Sequence, residues 1–81
     1  MVFPCRFPIK AMGMADPGLD ELVVQIVRHH APHISEGAVT SRLSKGNKYL
    51  AVTVVIEASS RDQLDAIYRE LTAHEKVIMA L

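Results

Sequence analysis

Three histidines stand close together, His29, His30 and His33, and imidazole is the side chain most often used to carry protons or bind metal near neutral pH. His29 and His33 are four residues apart, which on a helix would place them on one face. Pro32 lies between them, and the residue before a proline is pushed out of helical geometry, so a helix through His29 and His30 is expected to stop short of His33. A zinc site takes three or four ligands, and the broken cluster does not supply a full set. The alternative is that His29 and His30 are the cationic end of a helix, complementing its dipole. No metal and no cofactor is expected. The single cysteine, Cys5, permits no internal disulfide. Nothing local pairs it with a histidine as a nucleophile, and a lone cysteine on the inward side of a strand is ordinarily core.

A second group could hold an anion. Lys45, Gly46, Asn47 and Lys48, with Ser41 and Ser44 before them, combine cations with glycine-type backbone freedom. The Walker spacing is absent, and the segment joins two strands instead of opening a helix, so a solvated hairpin turn is the competing reading. Arg6, Lys10 and Arg42 could extend the same basic patch. The chain as a whole is neutral, with nine Lys and Arg against nine Asp and Glu, which does not favour nucleic acid.

The elements that must position these residues follow from periodicity. Cys5, Phe7, Ile9 and Ala11 alternate with Arg6, Pro8, Lys10 and Met12, a half-buried strand ended by Gly13. The stretch from Met12 to Gly18 reads as a turn. Asp16 before Pro17 is a helix start, with the carboxylate as cap and proline in the first turn. Leu19, Leu22, Val23, Ile26 and Val27 share one helical face, with Asp20 and Glu21 in the first turn and Arg28, His29 and His30 in the last. Residues 34–43 read as an edge strand, Val39 and Leu43 inward, Thr40 and Arg42 outward. A hairpin turn at Ser44-Lys45-Gly46-Asn47 leads into a central strand, in which Leu50, Val52, Val54, Ile56 and Ala58 face inward. Ser60 and Gln63 form a capping box before a helix whose stripe is Leu64, Ile67, Tyr68 and Leu71. Arg61, Asp65 and Arg69 lie at i, i+4 spacing on its solvent side. Val77, Met79 and Leu81 alternate with Lys76, Ile78 and Ala80 in a last strand.

Strand, helix, two strands, helix, strand is the split βαβ plait. The expected fold is α+β and ferredoxin-like, a single domain over residues 1–81. It has a four-stranded antiparallel sheet of order 4-1-3-2 with both helices on one face. The other face is left open, with Arg6, Lys10, Met12, Ala51, Thr53, Val55, Ile78 and Ala80 expected on it, apolar at the centre and basic at one side. Such a face could bind a partner or a second copy, or simply reflect the taste of strands for β-branched residues. RNA-binding sheets of this topology stack bases on aromatics of the central strands, and here only Tyr49 is placed to do so. Acylphosphatases share the topology but need an anion loop with an arginine after the first strand. This loop carries Asp16 and no arginine. No apolar run approaches the ~18 residues that span a membrane. Pro4, Arg6 and Pro8 interrupt any signal-peptide core, so a cytoplasmic location is expected.

Five stretches together resemble the YbeD family of small bacterial proteins: FPIKAMG (Phe7 to Gly13), RHHAP (Arg28 to Pro32), SKGNKYLAVTVVIEA (Ser44 to Ala58), QLDAIYREL (Gln63 to Leu71) and VIMAL (Val77 to Leu81). They are spread in order along nearly the whole chain, from Phe7 to Leu81. The resemblance implies a fold like that of ACT-type regulatory domains, which bind small effectors near the loop after the first strand. It implies no enzymatic activity. The chain is thus expected to be a non-enzymatic regulatory or adaptor domain, binding a protein partner or a small effector through Gly13, Asp16, Lys45, Gly46, Asn47 and Lys48. The alternative function is a weak anion or nucleic-acid binder through the basic hairpin.

Overall fold

Period-two alternation places β-branched side chains alternately against a core and away from it. In the computed structural model, which describes residues 2–34 and 36–81, that pattern gives two ten-residue strands at the centre of the sheet. Strand β1 (Cys5–Met14) pairs antiparallel with β3 (Tyr49–Ala58) along its whole length, from Cys5 opposite Ala58 to Met14 opposite Tyr49. Strand β2 (Val39–Leu43) lies outside β3, and β4 (Met79–Ala80) outside β1. The order β2-β3-β1-β4 is the expected one read from the other edge. Met1 and Ser35, the latter inside the segment read as the edge strand, lie outside the described residues.

Helices α1 (Leu19–His30) and α2 (Arg61–Ala73) pack on each other and on one side of β3. Leu19, Val23, Ile26 and Val27 of α1 and Leu64, Ile67 and Leu71 of α2 meet Ile9, Ala11, Val52, Val54, Ile56 and Ala58 in one buried cluster. Removing such side chains from water supplies the main drive to fold, at ~1.5–3 kcal/mol each before chain entropy is subtracted. Cys5 is half-buried against this cluster, on the core side as expected.

Four local expectations are corrected. First, β1 does not stop at Gly13: it runs on to Met14, with Gly13 buried opposite Leu50. A Cβ at Gly13 would lie 2.2 Å from the Lys76 carbonyl oxygen, so glycine is present to admit the neighbouring backbone, not to make a loop. Second, Asp16 is not the cap of α1. The Leu19 N–H donates to the Asp16 carbonyl, Gly18 takes φ 89°, ψ −1° and stands at the N-cap with no side-chain bond. Asp16-Pro17-Gly18-Leu19 is thus a type II turn, in which proline second and glycine third are the favoured residues. Third, a single 3₁₀ turn (Glu36–Ala38) occupies part of the segment read as edge strand, so β2 begins only at Val39. Fourth, the last strand is short and its phase is reversed. Ala80 sits opposite Ala11 on the helix side, while Met79 sits opposite Met12 on the open face.

The α2 cap is more elaborate than a capping box. The Ser60 hydroxyl accepts from the Gln63 N–H, but the Gln63 carboxamide oxygen takes the N–H of Ser59, not of Ser60. Its amide nitrogen donates to the His30 carbonyl at 2.8 Å, closing the C-terminus of α1 as well. Arg61, Asp65 and Arg69 are exposed, and the ion pairs formed among the described residues join other groups.

Candidate functional site

Helices cover one side of the sheet, so the other side is a surface built by alternation alone. Arg6, Lys10, Met12 and Met14 project from β1, Thr40 and Arg42 from β2, and Tyr49, Ala51, Thr53, Val55 and Glu57 from β3. β4 adds Met79, and Leu81 joins it in a shallow hollow of about 100 Å³ with Lys10, Met12, Ala51 and Thr53. Of the residues expected here, Ala80 lies on the helix side instead, and Ile78 precedes the strand. Met79 and Leu81 are missed because Lys76, the one polar member of the alternation, stands in the turn before β4, while every residue from Val77 to Leu81 is apolar and none marks the outer side. Both are strongly exposed, at 49% and 69%. The face carries three cations, Arg6, Lys10 and Arg42, against one carboxylate, Glu57.

The basic hairpin is built as a turn. Gly46 (φ 86°) and Asn47 (φ 57°) both take left-handed backbone, which glycine and asparagine tolerate best. The Asn47 N–H donates to the Ser44 carbonyl, and the Ser44 hydroxyl accepts from the Tyr49 N–H. These bonds belong to the turn and engage the Asn47 and Tyr49 N–H groups within it. The Lys48 ammonium lies 5.4 Å from the Tyr49 ring centroid, within cation–π range. Lys45 and Arg42 border an open depression of about 290 Å³ with Met12, Tyr49 and Ala51.

The structure does bring the loop after β1 to this hairpin. The Ala15 N–H donates to the Lys48 carbonyl at 3.0 Å. Beside that contact, an open depression of about 510 Å³ lies on the helix side of β2, lined by Asp16, Gly18, Asp20, Ser41, Leu43 and Leu50. Of the six residues singled out from the sequence, Asp16 lines this depression. Lys45 lines the smaller one on the other face, Gly46, Asn47 and Lys48 form the turn between, and Gly13 is buried in the sheet.

The histidines have a role not foreseen. His29 Nδ1 lies 3.2 Å from one Glu70 carboxylate oxygen, and His30 Nε2 lies 2.8 Å from the other, so a residue on α2 bridges the end of α1. The hydrogen bond from His30 is the main cause holding the Glu70 carboxyl below the usual carboxylate range, with His29 adding to it. Among the described residues, no three His, Cys, Asp or Glu side chains converge as a metal site. The Tyr68 hydroxyl donates to the Leu81 carbonyl, burial pushes its pKa up, and its ring meets Phe7 edge-on at 6.4 Å. Among the described residues no helix is long and apolar enough to cross a membrane.

Comparison with known proteins agrees with this architecture. Over residues 1–81 the chain matches a family described as "Protein of unknown function (DUF493)". It is 46% identical over 79 residues to a UPF0250 protein of Chromobacterium violaceum, covering 98% of this chain and 89% of that one. A UPF0250 protein of Ralstonia nicotianae is 44% identical over 79 residues, 98% of this chain and 81% of the relative. The solution structure of protein HP0495 from H. pylori superposes with a TM-score of 0.79 at 16% identity, covering 100% of this chain and 85% of that one, a likeness of fold. The chain therefore belongs to the DUF493 family, the same family as the YbeD proteins it resembles in sequence.

Proposed function

We propose that the protein is a non-enzymatic adaptor or regulatory module that binds an acidic surface of a protein partner on the open face of its sheet. The observation that carries this reading is the uncovered patch of Met12, Ala51, Val55, Met79 and Leu81, bordered by Arg6, Lys10 and Arg42. An apolar centre with a charged rim is the anatomy of a protein–protein contact, and three cations to one carboxylate select an acidic counterpart. The residues best suited to catalysis are otherwise engaged: Cys5 packs against the core, and His29 and His30 hold Glu70.

The test uses the full chain to capture partners from native bacterial lysate, followed by titration of the captured protein after purification. Lys10→Glu with Arg42→Glu reverses two exposed charges without touching the core, and Met79→Asp places a charge in the patch. Each is expected to weaken the complex by about tenfold or more, the charge pair mainly through slower association. Unchanged affinity in both variants would overturn the reading. So would substrate turnover by the purified protein that one polar substitution abolishes.

A second reading is favoured by the depression that Arg42 and Lys45 share with Tyr49: a weak anion or nucleic-acid site. It requires binding that falls steeply with salt. Unchanged affinity for phosphate or oligonucleotide after Lys45→Ala with Lys48→Ala would remove it.

A further inference from the structure

The two edges of the sheet differ. β4 is short, Met79–Ala80 with backbone bonds from Ile78 and Leu81 at its ends, an edge of the kind that resists further pairing. β2 offers five paired residues, Val39–Leu43, in unbroken register with β3, with no bulge or proline and with Arg42 as its one charge. Hydrogen bonds in an antiparallel pair alternate between facing inward and outward. The Ser44 N–H donates to the Tyr49 carbonyl, so Arg42 and Thr40 direct their backbone groups to β3. Val39, Ser41 and Leu43 therefore direct theirs away from the sheet.

The two sides of this edge also differ in charge. On the helix side, exposed Leu43 and Ser41 border the depression whose far wall carries Asp16 and Asp20. On the open face, Arg42 and Lys45 stand beside Thr40. A strand laid along β2 would send alternate side chains to these two surfaces.

We infer that β2 accepts an extended segment of a protein partner as a fifth strand, one whose alternate side chains are basic or small apolar toward the Asp16–Asp20 depression and acidic toward Arg42. This deepens the reading of the protein as a partner-binding module and rests on it. Thr40 and Arg42 belong to both surfaces, so one partner can dock on the face and add a strand at its border. A second copy fits less well: its own β2, VTSRL, supplies no carboxylate for Arg42, and in an antiparallel pairing its arginine falls on the open face, away from Asp16 and Asp20. Backbone bonds would give the affinity, and the charge alternation would give the selectivity.

The probe is a nine-residue peptide in which lysine and valine alternate on one side and glutamate and threonine on the other, titrated into ¹⁵N-labelled full-length protein. The expected result is a shift of the Val39, Ser41 and Leu43 amides together with slowed hydrogen exchange there. Replacing the peptide's lysines by glutamate, or its glutamates by lysine, should weaken binding by about tenfold. Asp16→Asn with Asp20→Asn should erase the preference for lysine. Ser41→Pro removes an outward N–H and leaves the β3 pairing intact, so it should abolish binding while the native spectrum persists. No change at the three amides, or equal binding of the three peptides, overturns the inference. Concentration-dependent protection of β2 without peptide assigns the edge to a second copy and overturns it too. Shifts confined to Met12, Ala51 and Val55 overturn the added strand while leaving the face reading standing. Loss of face binding in the Met79→Asp variant, with peptide binding at β2 retained, separates the two the other way, because Met79 lies on β4 and not on the β2 edge.

Discussion

Replacing Gly13 by alanine tests whether this residue belongs to a ligand loop or to the packing of the sheet. The added Cβ would stand 2.2 Å from the Lys76 carbonyl oxygen and 3.0 Å from Leu19 Cδ2. Leucine Cδ2 ends a flexible side chain and can yield, but the Lys76 carbonyl is main chain and is tied on both sides. The Lys76 N–H donates to His74 Nδ1, and two residues on, the Ile78 N–H donates to the Met12 carbonyl at 2.8 Å. Relief requires moving the segment that leads into β4, which also loosens buried Val77. Overpacking of this kind costs about 1–3 kcal/mol, and loss of the Ile78 bond about 1 kcal/mol more. Alanine returns about 0.4–1 kcal/mol by restricting the unfolded chain. The net expectation is a destabilisation of about 1–3.5 kcal/mol, against a total of roughly 4–12 kcal/mol for a chain of this length. Urea unfolding followed by circular dichroism measures it directly, and the midpoint temperature should fall by roughly 5–25 °C. Gly37→Ala is the control, because a Cβ there meets nothing within 4 Å and its backbone is not left-handed. A Gly13→Ala protein within about 0.5 kcal/mol of wild type would refute the close-approach argument.

Three further outcomes are expected. Gln63→Ala should cost about 1–2 kcal/mol in urea unfolding because two helix termini lose a partner, and Gln63→Glu should recover only the Ser59 half of it, since a carboxylate cannot donate to the His30 carbonyl. Asn47→Ala should destabilise by about 1 kcal/mol and Asn47→Gly by much less, because the turn needs left-handed backbone there. Glu70 has its folded-state pKa held below 4.5, so its bonds to His29 and His30 add stability above the ordinary carboxylate range that is lost as pH falls through the lowered value. In acid titrations of stability, wild type should therefore lose more than Glu70→Gln below about pH 4.5, and parallel curves would count against the bridge.

The parts of the fold that could be read from sequence are those in which polar and apolar residues contrast. From Leu50 to Ala58 the inward set is all aliphatic and the outward set includes Thr53 and Glu57, and both the faces and the strand were legible. Ser60 and Gln63 announced α2 for the same local reason. Asp16-Pro17 was misread because the same two residues open a helix or a type II turn, and Gly18 two positions on decides for the turn. The face of β4 was misread where contrast vanishes, between Val77 and Leu81. Of the candidate site, the Lys45–Lys48 turn and the edge character of β2 were visible locally. The bridge from Glu70 to His29 and His30, and the depression that Asp16 shares with Leu43, were not. Each joins residues far apart in the chain, through contacts that only the packed helices and sheet create.

β1 lies inside the sheet, yet both its neighbours, β3 and β4, follow it by several tens of residues. The β2–β3 hairpin, with its turn at Gly46 and Asn47, is the one strand pair that can close locally. The rate-limiting step of folding is then expected to be capture of β1 by the preformed hairpin, a contact of high sequence separation that must overcome loop-closure entropy before it is rewarded. Substitutions in the hairpin turn would slow folding, whereas those in the two-residue β4 would mainly speed unfolding. A chain emerging from synthesis would carry β1 unpaired until β3 is complete, so this strand is the segment most exposed to misassociation before the domain closes.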